Sequence, residues 1–120
     1  LLLFILCCIL STCSYFFIIK FLNEEYLISA TISVIVSFAY MIDGMWKLYN
    51  GILIYYNKYL LSTISVCFAG IINVILNYLF LSDYGIICAA FSTLISFSVG
   101  LLFSSFIIHF KLKIFTHDTQ

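Results

Sequence analysis

The residues able to do chemistry in this chain are few, and they sit inside apolar sequence. Asp43, Lys47 and Asn50 follow one another at spacings of four and three, which puts them on one face of a helix. A carboxylate within a membrane helix is by default a functional hypothesis, and its natural partner here is Lys47. Three readings of this pair stand side by side. The pair is a local structural ion pair whose lysine snorkels to the interface. Alternatively Lys47 offers a point charge to an anionic substrate group, or Asp43 binds a coupling proton or sodium ion. Asn73 and Asn77, one helical turn apart, form the second constellation. An amide in lipid is costly unless bonded, so both must face protein or water. They serve either as hydrogen-bonding glue between helices or as contacts for a polar substrate.

Other chemistry is poorly supplied. Cys7, Cys8, Cys13, Cys67 and Cys88 all lie in apolar runs, with no CxxC pair and no histidine at ligand spacing, and read as small packing residues. Glu24–Glu25 is the only adjacent pair of acids and reads as a solvated loop; no DDxxD-like cluster could hold magnesium and a diphosphate. His109 and His117 have no useful acid or cysteine nearby except Asp118, and no serine has a candidate base. The expectation is a protein that is not an enzyme and carries no metal or cofactor beyond a coupling ion. All five cationic residues are lysines, so bidentate guanidinium clamps are absent. Net charge is zero with no basic patch, which argues against nucleic acid as a partner.

The elements that must position these residues are membrane helices. The chain is 65% hydrophobic and 8% charged with a mean hydropathy of +1.23, whereas a soluble domain is about half apolar and a quarter charged. Spans of about 20 apolar residues cross a bilayer, and the sequence predicts four of them, at about 1–19, 27–50, 60–81 and 86–108, giving an all-α membrane protein. Apolar and aromatic residues continue to Tyr56 beyond the charges of the second span. A helix covering all of that stretch, about 29 residues long, must tilt strongly, bend near Gly44 or Gly51, or leave its last turns in the headgroup region. Trp46, Tyr49, Tyr55 and Tyr56 suit an interfacial belt there. Ser82–Asp83–Tyr84–Gly85 reads as a four-residue turn, and residues 109–120 as a short polar tail. Small residues recur at helical spacing, most regularly as Ser92, Ser96, Gly100 and Ser104, and predict close helix packing.

Lysine placement gives the orientation. Lys58, Lys111 and Lys113 fall on one side and Lys20 on the other, with Glu24, Glu25 and Asp83. The positive-inside rule then puts both ends in the cytoplasm. Leu1 stands inside an apolar run with no initiator methionine or basic flank, so the chain is expected to be the C-terminal piece of a longer protein.

The stretch Phe68 to Ser96 also resembles a signature near the end of Wzx-type polysaccharide flippases, which belong to the superfamily of multidrug (MATE) exporters and the lipid II flippase. The matching residues are Asn73, Asn77, Tyr78, Tyr84, Gly85, Ile86, Ala89, Ala90, Thr93 and Ser96. Gly51 to Lys58 and Ile18 to Tyr26 are similar to two further family segments, so the resemblance covers most of the chain. Ser82 stands where the family usually has proline, and Cys88 where it has glycine. The resemblance implies the last four helices of a twelve-helix, two-lobed transporter in a bacterial cytoplasmic membrane. Its partners would be membrane lipid, the missing N-terminal helices of the same chain, and a polyprenyl-diphosphate-linked oligosaccharide used for surface polysaccharide such as O-antigen. Export would run by ion-coupled rocking of the lobes, with Lys47 as a diphosphate contact near the cytoplasmic entrance and Asn73 and Asn77 meeting sugar hydroxyls. A drug or cation exporter of the same superfamily and a non-transporting helical subunit are the alternatives.

Overall fold

A computed structural model describes the backbone of residues 1–117 and the side chains of residues 1–110. Among them are the helices α1 (Leu2–Phe21), α2 (Leu27–Tyr55), α3 (Tyr59–Tyr84) and α4 (Ile86–His117), with one 3-10 turn at Glu24–Tyr26 and no strand. All four are long and apolar enough to span a membrane. The chain is a multi-pass membrane protein with four spanning helices among the described residues.

The helices form a slab 64 × 34 × 16 Å in extent. Their spatial order differs from their chain order: α1 packs on α2, α2 on α4, and α4 on α3, with only a small contact between α2 and α3. What is buried explains the solvent. Ser65 and Ser104 are fully buried, as are Ala30 and Ala39, whereas Val74 and Leu102 are 69% and 68% exposed. In water this pattern would be inverted. In hydrocarbon, large aliphatic side chains gain nothing by leaving the solvent, and small residues let helix backbones approach.

Three boundaries differ from those expected. The second helix does not end near residue 50 but runs unbroken through Gly44 and Gly51 to Tyr55. At 1.5 Å per residue its 29 residues exceed the roughly 30 Å hydrocarbon layer. It closes on Asn57 in the left-handed region, φ 56°. The Lys58 N–H bonds the Leu53 carbonyl at 2.8 Å and the Asn57 N–H bonds that of Ile54 at 2.9 Å, a Schellman closure. The expected four-residue turn shrinks to Gly85 alone, because Ser82, Asp83 and Tyr84 complete the last turn of α3. Gly85 sits at φ 65°, ψ −148°, a conformation essentially reserved for glycine. Finally, α4 stays helical to His117, through most of the segment expected to be a polar tail; residues 118–120 lie outside the described residues.

Candidate functional site

Three polar groups interrupt the apolar layer, and each begins from residues singled out by spacing. On α2, Lys47 Nζ lies 2.6 Å from Asp43 Oδ2, bridging one helical turn. The two partners are unequal: the Asp43 side chain is 11% exposed and that of Lys47 73%. The carboxylate is withdrawn into the protein while the ammonium stands out from it. A buried carboxylate stripped of its partner would be strongly unfavourable, so Lys47 is the group that makes the burial of Asp43 tolerable and is itself held over the surface.

Asn50 shares the helix face but not the ion pair. Its Oδ1 accepts from the Ser104 hydroxyl of α4 at 3.1 Å. That hydroxyl belongs to a larger junction. The Trp46 indole N–H donates to Ser65 Oγ of α3 at 3.1 Å and to Ser104 Oγ at 3.0 Å. The two serine oxygens are 2.9 Å apart, and the Ser65 hydroxyl also reaches the Gly100 carbonyl at 3.3 Å. The Trp46 ring lies against Gly100, where a Cβ would come within 2.6 Å of Cζ2. Phe97 flanks the indole at 6.0 Å between ring centroids. Trp46 thus departs from the belt position expected of it: it is 6% exposed and ties three helices together. Only glycine at position 100 leaves room for the ring, and only partners such as Ser65 and Ser104 satisfy its N–H away from water. The regular Ser92–Ser96–Gly100–Ser104 stripe was the available signal for this seat, but nothing in it named Trp46 as the occupant.

Asn73 and Asn77 form the third group, between α3 and α4. The Asn77 amide donates to Asn73 Oδ1 at 2.6 Å, and the Ser92 hydroxyl donates to Asn77 Oδ1 at 2.7 Å. Asn73 Nδ2 reaches Thr93 Oγ1 at 3.5 Å. Ser92 and Thr93 also bond the Ala89 carbonyl, at 3.0 and 2.9 Å. Both asparagines are half-buried, and each keeps an amide N–H beyond these bonds.

The structure therefore distributes the five predicted residues over three places. Asp43 and Lys47 pair, Asn50 joins the Trp46 junction, and Asn73 and Asn77 bind each other across to α4. Among the described residues no group of three histidine, cysteine or acidic side chains could share a metal ion. Comparison with family models, curated proteins and solved structures returns no match.

Proposed function

We propose that this chain is part of a membrane transporter that moves a lipid-linked oligosaccharide across a bacterial cytoplasmic membrane for surface polysaccharide synthesis, with both ends in the cytoplasm. The observation that supports it best is the asymmetric Asp43–Lys47 pair. A lysine side chain 73% exposed on a spanning helix needs water, a headgroup or an anionic ligand beside its ammonium. In this reading Lys47 meets the diphosphate, and Asn50, Asn73 and Asn77 offer their remaining amide groups to the substrate. Asp43 is the residue to which a proton or sodium ion couples. The resemblance of Asn73 to Ser96 to the flippase signature supports the same assignment. A slab of four helices encloses no two-lobed cavity, so the remaining helices of the transporter come from sequence upstream of Leu1.

The test starts with that upstream reading frame, where about eight further hydrophobic spans are expected. The complete gene should then restore polysaccharide export in a flippase-deficient strain. Lys47→Ala should lower that export at least tenfold while inserting normally. A frame beginning at Leu1, or full export by both Lys47→Ala and Asp43→Asn, rejects the proposal.

A second reading, a helical subunit that does not transport, draws support from Asn73 and Asn77, which are already bonded between α3 and α4. It requires that Asn73→Ala and Asn77→Ala lower stability and leave export per inserted molecule unchanged.

A further inference from the structure

The Trp46 junction sets the direction of a neighbouring amide. An indole N–H can only donate, so it draws on the oxygens of Ser65 at 3.1 Å and Ser104 at 3.0 Å. The Ser65 hydroxyl has acceptors of its own in Ser104 Oγ at 2.9 Å and the Gly100 carbonyl at 3.3 Å. When it donates to Ser104 Oγ, both lone pairs of that oxygen are engaged, and the Ser104 proton goes to Asn50 Oδ1 at 3.1 Å. Donation then runs one way, from Trp46 through Ser104 to Asn50. The Asn50 oxygen is turned toward α4 and its Nδ2 away from Ser104. That nitrogen has no bond among the described residues, where Ser11 Oγ is the only side-chain oxygen or nitrogen both buried and unbonded, so Nδ2 reaches the surface. Lys47 lies three residues earlier, about 4.5 Å along the helix. Asp43 engages one of its three donors.

We propose that this relay makes the Lys47–Asn50 edge of α2 a surface of donors, selective for a diphosphate over a cationic ligand, with Trp46 and Ser104 as positioning residues. The inference rests on the transport reading above and sharpens it. An amide presents an oxygen or two N–H groups according to which way it is turned. Held by Ser104, Asn50 presents N–H groups, which suit phosphate oxygens and meet a cation with the wrong polarity. Two groups one helical turn apart can each take an oxygen of the same diphosphate. The ammonium supplies the charge, and the fixed amide supplies the direction.

The experiment is calorimetric binding of farnesyl diphosphate and of tetraphenylphosphonium to the complete transporter in detergent. The diphosphate should bind more tightly than the cation. Asn50→Asp keeps an acceptor for Ser104 and removes the outward donors. It should weaken diphosphate binding about tenfold, the effect of one hydrogen bond to a charged group, with thermal unfolding unchanged. Asn50→Leu, which adds no charge, should give the same loss. Trp46→Phe keeps a ring in the seat but removes the donor that starts the relay, and should weaken binding about threefold. In the Asn50→Leu background Trp46→Phe should weaken it no further, because no amide is left to direct. An equal effect of Trp46→Phe in both backgrounds makes Trp46 merely structural and overturns the proposal. So does unchanged diphosphate binding by Asn50→Leu while Lys47→Ala weakens it, which leaves the transport reading standing. Tighter binding of tetraphenylphosphonium, or diphosphate binding indifferent to Lys47→Ala, overturns both.

Discussion

The seam between α2 and α4 and the seam between α1 and α2 solve the same problem by different means. At the first, a large ring is seated on Gly100 and its N–H is held by serines from two helices. At the second, the residues that α1 buries, Cys7 and Ser11, are small. A single hydroxyl pair, Ser14 with Ser33 at 2.5 Å, crosses it, and the Ser11 hydroxyl is buried with no partner. Among the described residues, helix α1 has only Cys7 and Ser11 buried and touches none of the other long helices but α2. Hydrophobic burial cannot separate the two cases, because lipid is as apolar as leucine. What distinguishes them is shape and hydrogen bonding, so the α2–α4 seam fixes a register and the α1–α2 seam a contact.

The sharpest way to break the contrast is Gly100→Ala. Its Cβ would overlap ring carbons of Trp46, which the buried indole has little room to move, and should cost about 3 kcal/mol. Thermal unfolding in detergent should show the loss, and Trp46, the only tryptophan, should shift its emission to the red as it leaves its seat. Ser65→Ala with Ser104→Ala keeps the seat and removes both acceptors of the indole N–H. It should cost about 1.5 kcal/mol, and either single change less than half as much, since Trp46 keeps one partner. Ser14→Ala in the other seam should cost only about 0.6 kcal/mol, the typical value for an interhelical bond in lipid. Ser11→Ala should be neutral or slightly stabilising, because the hydroxyl it removes has no partner. If the α1 substitutions cost as much as those at the junction, the contrast fails.

How far the sequence reports these features follows from what hydropathy measures. It reads depth in the membrane, not where a helix stops. Lys20 marked the end of α1 to within a few residues because there the two coincide. At Ser82 to Tyr84 and beyond His109 the backbone stays helical while the side chains turn polar, so the helices outrun the apolar runs. The shared face of Asp43, Lys47 and Asn50 was legible because spacing along one helix is a local property. That Asn50 bonds Ser104 while Lys47 stands free of it was not, since the partner is on another helix. Trp46 shows the limit most clearly. An aromatic residue close to a charged one looks like a belt residue from local sequence alone, and the glycine that receives it is far along the chain.

Gly85 has a consequence for how the protein is made. With a single residue between them, α3 and α4 share no stretch of chain long enough to wait in water while one helix alone is in the bilayer. Their link carries no sorting signal of its own except Asp83 on the last turn of α3. A one-residue link therefore favours entry of the two as a hairpin, in which the asparagine and serine bonds between them are already within reach. A reporter tag placed at Gly85 would sever that pairing, whereas one placed at Asn23, between α1 and α2, would sit in an existing loop.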